Sequence, residues 1–274
     1  LADRALLGGL PRSLLERHRR LLEGPVLEKF HTAPVERVQG FVLVLLYPTL
    51  PSLESLTDYQ PKIPLRVVTV EGEPLGEFGE ERRAVVSIAE VPPVMKQAIL
   101  AAEDERFYSH GGVDYISVFR AAATNLASGT QQGAGTITMQ VARNFFLTRE
   151  KTVTRKLREV LLAWKIESNL SKDEILQLYL NQIFLGQRAY GFAAAAQIYF
   201  GKPLKDVSAA EAAMLAGLPK APSAFNPITN PKRAKTRQLY VLRRMHDLRF
   251  LTDVQYKEAQ TAPLVVRQGR RETL

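Results

Sequence analysis

Twice in the second half of the chain a serine is followed three residues later by a glutamate, at the start of a helical pattern. Ser171-Lys-Asp-Glu174 leads into Ile175, Leu176, Tyr179, Leu180 and Ile183, and Ser208-Ala-Ala-Glu211 leads into a segment that stops near Gly217 and Pro219. In such a pair the serine oxygen accepts from the backbone N–H of the glutamate, whose carboxylate reaches back to the serine N–H. Two otherwise orphaned donors are satisfied, so the helix start is locally decided. Val153, Leu157, Val160, Leu161 and Trp164 recur at the same helical period. Pro92 and Pro93 suit a first turn, which has no use for their missing N–H. Behind them Val94, Ala98, Ala101 and Ala102 form an apolar stripe ending at Glu103, and Asp114 is placed to cap a helix running to about Leu126. The body of the chain, about residues 92 to 250, is therefore predicted to be mainly α-helical.

The rest reads differently. Arg66–Val70, Glu71-Gly-Glu-Pro74 and Leu75–Glu80 predict a small N-terminal β-hairpin. Residues 1–40 mix leucines with arginines as an amphipathic helix does. Phe41–Tyr47 is apolar but far short of the roughly 18–20 residues that span a bilayer, and fits either a short buried element or the end of an anchor. Pro48, Pro51, Pro61 and Pro64 mark an extended linker. With 46% hydrophobic residues, the 274-residue chain can bury one large core or two modest ones. A net charge of +9 calls for an anionic partner: nucleic acid, a bilayer face or a phosphorylated substrate. The absence of cysteine excludes disulfides and thiolate metal sites.

Three stretches carry candidate chemistry. Glu103-Asp104-Glu-Arg-Phe107-Tyr-Ser-His110-Gly-Gly112 places carboxylates and a histidine at a helix end beside a glycine turn. A carboxylate desolvated there gains a raised pKa and suits general-base work; a charged helix end with a structural histidine fits equally. Gly133-Ala-Gly135-Thr136-Ile-Thr138-Met-Gln140-Val-Ala-Arg143 runs from a polar loop into a helix whose first N–H groups can face an anion or simply be capped. It is not a P-loop, since no Gly-Lys-Ser/Thr follows. In Arg155-Lys156-Leu-Arg158-Glu159, taking Leu157, Leu161 and Trp164 as the buried face puts Arg155 and Glu159 opposite, as a solvated ion pair or as the lining of a groove. His18, His31, His110 and His246 show no metal-ligand spacing. Basic residues do not alternate with aromatics as on a single-strand nucleic-acid platform.

Together these stretches resemble the peptidoglycan glycosyltransferase domain of class A penicillin-binding proteins and monofunctional transglycosylases. Five family motifs stand in order: Glu103-Asp104-x-x-Phe107-x-x-His110-x-Gly112, Gly133-x-x-Thr136-Ile137-Thr138-x-Gln140, Arg155-Lys156-x-x-Glu159, Lys172-x-x-Ile175-Leu176-x-x-Tyr179-Leu180-Asn181, and Arg237-x-x-x-Val241-Leu242. The resemblance runs from about residue 58 to about 260. It implies a lysozyme-like, mainly α-helical fold with a larger head lobe and a smaller, mobile jaw lobe by the membrane. On that reading residues 1–57 are an anchor-like segment and linker, 58–250 the glycosyltransferase domain, and 251–274 a C-terminal linker.

The resemblance also implies the chemistry: lipid II is polymerised into β-1,4-linked glycan with inversion and release of undecaprenyl diphosphate, on the outer face of the bacterial inner membrane. Glu103 would be the general base, with Glu159 assisting. Arg143, Arg155, Lys156 and Lys172 would hold diphosphate, and Thr136, Gln140 and Asn181 would line the cleft; Asp104, Phe107, His110 and Arg237 join the binding set. A divalent cation, Mg or Mn, would sit on the donor diphosphate. Elongation or division proteins are implied partners; nucleic acid is not. Two departures stand out: Gly135 replaces the serine usual before Thr-Ile-Thr, and no anchor is recognisable ahead of the linker. Neither Ser-x-x-Lys nor Lys-Thr-Gly of a transpeptidase occurs. A lysozyme-like glycan hydrolase and an inactive lipid II-binding scaffold are the competing readings.

Overall fold

The computed structural model describes residues 50–57, 65–71, 74–78, 81–128, 135–147 and 153–267. The leader at 1–40, the apolar run at 41–47, most of the proline-rich linker and the glycine-rich loop at 129–134 lie outside the described residues. Residues 53–274 form one compact unit; of the unit ahead of it only residues 50–52 are described.

In chain order this unit contains α1 (Glu54–Thr57), β1 (Leu65–Val68), β2 (Pro74–Phe78), β3 (Arg82–Arg83), α2 (Pro93–Glu103), α3 (Tyr115–Ser128), α4 (Ile137–Phe146), α5 (Val153–Glu167), α6 (Lys172–Gln182), β4 (Ala189–Tyr190), α7 (Phe192–Phe200), α8 (Ala209–Gly217), α9 (Pro231–Asp247) and α10 (Asp253–Thr261). The fold is mainly helical, as the periodicity predicts. β1 and β2 form the expected antiparallel hairpin, with Arg66 opposite Glu77 and a register shift between Val67 and Val68. β3 and β4 pair in parallel.

The caps read from the sequence are present. Ser171 accepts from the Glu174 N–H at 3.3 Å while Glu174 accepts from the Ser171 N–H at 2.7 Å, and Ser208 with Glu211 repeats the arrangement at 3.3 and 2.8 Å. Asp114 Oδ1 accepts from the Ser117 N–H at 3.1 Å, opening α3. Thr252 and Gln255 cap α10, which packs on α8 and α9 where a linker is the expectation from sequence.

Two helix groups make the core. In the first, α8 packs between α2 and α9. Every residue of α8 from Ala210 to Gly217 is buried, and its alanines and terminal glycine admit both neighbours closely. In the second, α4 packs on α5 and α6, and α7 joins α6 to α8. By contrast α3 is largely exposed: among its described side chains only Ala121 is buried, while Tyr115, Ile116, Val118, Phe119 and Leu126 face outward. Periodicity misplaces two faces. On α2 the buried residues are Met95, Ala98, Ile99, Leu100 and Ala101, with Val94 only half-buried. On α5 the buried side carries Glu159, Leu162, Ala163 and Ile166 as well as Leu161, so Glu159 is interior and not on the solvated side.

Candidate active site

Glu103 is the last residue of α2, where the helix ends because Asp104 turns to φ −160°. Its carboxylate meets α4 and α9. Gln140 Nε2 donates to Glu103 Oε2 at 2.8 Å, and Arg237 Nη2 lies 3.9 Å from Oε1. Burial pushes the Glu103 carboxyl above its ordinary value, against the lowering pull of the Gln140 hydrogen bond and of Arg237, Lys220 and Arg143. Desolvation penalises the charged form more than these partners favour it, which leaves a more basic carboxylate than a surface glutamate. The side chain keeps 12% exposure, along one wall of a polar cavity of about 150 Å³ that Gly135, Thr136, Arg120 and Arg244 also line.

Arg237 reaches Glu103 because of a glycine. A Cβ on Gly217 would stand 2.8 Å from Arg237 Cγ, so only the bare α8 backbone lets the arginine stem cross. The guanidinium then lies 4.6 Å from the Tyr240 ring centroid. The fully buried Tyr179 Oη has no hydrogen-bond partner among the described residues; burial, then the Glu103 charge, push its phenol well above the usual range.

Several residues of the expected binding set also hold the frame. Asp104, immediately after the candidate base, accepts from the Ile137 N–H at 3.0 Å and pairs with His110 Nε2 at 3.0 Å. This ties the end of α2 to the start of α4. Thr136 caps α4, accepting from Met139 N–H at 3.2 Å and donating to Gly112 O at 2.6 Å. Phe107 is fully buried, with Lys172 Nζ over its ring at 4.4 Å. Lys172 Nζ also donates to His110 O at 2.6 Å and to Glu167 at 2.7 Å, so two of its three N–H donors are engaged inside the protein. Asn181, expected to line the cleft, is buried and grips the Val86 backbone with its amide, accepting from N–H and donating to O at 2.9 Å each. These polar side chains are polar because buried backbone groups need partners.

Glu159 is 2% exposed and is paired on its own helix, with Arg155 Nη1 at 2.9 Å and Lys156 Nζ at 3.2 Å. Its partners are thus the basic neighbours seen in the sequence, but the pair is buried on the carboxylate side. Arg143, on the last turn of α4, and Lys220, just after α8, are exposed cations within electrostatic reach of Glu103. Sequence reasoning missed Lys220 and Glu167, and read Gly217 only as a helix stop. None sits in a motif, and each is recruited by tertiary packing alone.

A divalent cation finds no carboxylate cage among the described residues. Glu103 and Glu159 are each engaged by their own partners, and no three described His, Asp or Glu side chains converge on one point. No described helix is long and apolar enough to cross a membrane.

The transglycosylase family model matches residues 71–246. Penicillin-binding protein 1A of Neisseria gonorrhoeae is 59% identical over 221 residues, which is 80% of this chain and 28% of that protein. The same-named protein of Pseudomonas aeruginosa is 52% identical over 220 residues, 80% of this chain and 27% of that one. A crystal structure of penicillin-binding protein 1A from Haemophilus influenzae aligns at TM-score 0.46 and 31% identity, over 78% of this chain and 22% of that one. The chain thus spans little more than a quarter of the curated relatives it matches. Matched over residues 71–246, through the helices that place Glu103, Gln140, Glu159 and Arg237, the chain belongs to the transglycosylase family, as a domain of the kind found in penicillin-binding proteins 1A.

Proposed function

We propose that this domain is a peptidoglycan glycosyltransferase that polymerises lipid II by an inverting displacement, with Glu103 as general base. The observation that carries the reading is the buried Glu103 carboxylate, raised toward basicity, at the edge of an open polar cavity with cations on its other side. The C4 hydroxyl of the acceptor attacks the anomeric carbon of the lipid-linked donor. The new C4–O–C1 bond forms as the bond from C1 to the diphosphate oxygen breaks, and the hydroxyl proton passes to Glu103. Gln140 occupies Oε2 and leaves Oε1 to take that proton. Negative charge grows on the departing undecaprenyl diphosphate, and Arg143, Lys220 and Arg237, the cations within electrostatic reach of Glu103, would supply the positive charge that stabilises it. A divalent cation on this substrate would be held by its phosphates, since the described residues offer no cage.

The same reading sets the domain at the outer face of the inner membrane. The exposed aromatic and aliphatic side chains of α3 (Tyr115, Ile116, Phe119 and Leu126) give an interfacial surface, and the +9 charge favours an anionic bilayer.

Labelled lipid II in detergent tests the chemistry. Glu103→Gln keeps shape and hydrogen bonding but cannot accept the proton, so polymerisation should fall by about 10²–10⁴-fold, the usual cost of losing a positioned base, with lipid II binding retained. Polymerisation above about a tenth of the native rate would sink the assignment, being well inside that cost. Shortened glycan as product would make the domain a hydrolase, and binding without product a scaffold.

A further inference from the structure

The end of α2 and the first turn of α4 are joined on one side by Asp104, whose carboxylate accepts from Ile137 N–H at 3.0 Å. A second connection runs the other way round. Glu167, the last residue of α5, accepts from the Thr138 hydroxyl and from Lys172 Nζ at 2.7 Å. Lys172 in turn donates to His110 O at 2.6 Å, and His110 Nε2 pairs with Asp104 at 3.0 Å. The circuit is closed: Asp104, α4, Thr138, Glu167, Lys172, His110 and back to Asp104. Its parts are well buried, with Thr138 at 0% and the Glu167 side chain at 10% exposure. Chain geometry is fitted around it, since a Cβ on Gly112 would come within 3.2 Å of Glu167 Cγ and 3.0 Å of the Ala163 backbone.

We propose that Glu167 is a positioning residue for glycosyl transfer: through Thr138 it makes a second tie, beside that of Asp104, to the first turn of α4 and so fixes Gln140 against Glu103. The inference rests on Glu103 being the base. Glu167 lies in none of the five motifs. Its carboxylate acts through Thr138 and Lys172, so it touches neither substrate nor the reacting atoms. The quantity it controls is the depth at which Glu103 sits. The groups that face Glu103 are Gln140 and Arg143 from α4, Arg237 from α9, Lys220 after α8 and Tyr179 from α6. Burial is the dominant influence on the Glu103 carboxyl and the Gln140 hydrogen bond the next. Loosening α4 admits water, weakens the burial and moves the carboxyl back toward its ordinary value.

The test is the pH profile of lipid II polymerisation by Glu167→Gln and Thr138→Val, with folding followed by circular dichroism and Glu103→Gln run in parallel. Thr138→Val removes a single hydroxyl, so it reports even where Glu167→Gln does not fold. Both variants should lose kcat by about tenfold or more, as displaced catalytic geometry does, with KM changed less, and the acid limb should move to lower pH. A merely structural role lowers the amount of active enzyme and leaves the limb in place. An unmoved limb with native kcat per folded molecule overturns the proposal. If Glu103→Gln is inactive and the limb is unmoved, the Glu167 inference alone fails; if Glu103→Gln still polymerises, the base assignment fails and takes this inference with it.

Discussion

Gln140 Nε2 donates a 2.8 Å hydrogen bond to Glu103 Oε2 across the junction of α4 and α2. The bond orients the carboxylate and favours its charged form, while burial does the reverse and wins. A base acts deprotonated, so the rate should rise with pH through a carboxyl value above the ordinary one. Gln140→Leu keeps much of the bulk and removes the donor. The acid limb of kcat/KM should then move to higher pH, opposite to the shift expected for loosening α4. A limb displaced to lower pH, or unmoved, contradicts this account of how the carboxylate is tuned.

The same burial predicts a stability cost. Because the folded-state pKa of Glu103 is raised, the folded protein holds this proton over a range where the unfolded chain has lost it. Stability therefore falls as pH rises from the ordinary carboxyl value through the raised one, and above the raised value the cost is fully present. Glu103→Gln should melt higher than the native domain at neutral pH, with the gain vanishing in acid. Calorimetry at the two ends of that range checks it; an equal or lower melting temperature at neutral pH counts against a destabilised carboxylate.

Glu159 is a different case. Its sequence position fits a solvated ion pair or the lining of a groove, and an exposed polar site lining a cleft would leave the stability of Glu159→Gln within about 0.5 kcal/mol. The structure buries the carboxylate between Arg155 and Lys156. Lys156 is half exposed, so the cost of Glu159→Ala comes from losing the buried side chain with its ion pairs and should be about 1–3 kcal/mol, measured by urea unfolding. A cost below about 1 kcal/mol would return the pair to the surface class.

Gly112 and Gly135 should respond in opposite directions. Gly112 has φ +88° and no room, so Gly112→Ala strains the backbone and pushes on Ala163 and Glu167. A Cβ on Gly135 would meet nothing within 4 Å, and its φ is not left-handed. Gly135→Ser should be accepted and raise stability by about 0.4–1 kcal/mol by restricting the unfolded chain. Thermal melts of both variants decide the matter; a stabilised Gly112→Ala or a destabilised Gly135→Ser goes against the geometry.

The exposed face of α3 predicts membrane association. Ile116→Glu with Phe119→Glu should weaken binding to anionic vesicles while changing folding stability by no more than about 0.5 kcal/mol, since both side chains are already in solvent. Binding of the native domain should fall as salt rises, because the basic residues contribute through a screened field. Vesicle co-sedimentation that is identical for native and double variant would move the membrane surface elsewhere.

Most of the helical body, the starts of several helices, the hairpin and the family are legible in the order of the residues, whereas α10 is not. Capping boxes at Ser171 and Ser208 and prolines ahead of α2 act over a few residues, so they are readable without knowing what packs where. Glu103 and its motif neighbours were marked in the same way. Undecided at that level is which polar residues face the cavity and which hold the frame, because a side chain's partner is set by residues far away in the chain. Asn181 is spent on Val86, 95 positions earlier, and Lys172 on His110, 62 positions earlier. Glu159 lies inside and not outside, a matter of packing and not of period. Lys220 and Glu167 carry no local signal, and Gly217 reads locally only as a helix stop, not as the gap that Arg237 crosses. Only the meeting of α2, α4 and α9 at Glu103 turns a charged helix end into a desolvated carboxylate, since burial is a property of the assembled core and of no segment alone.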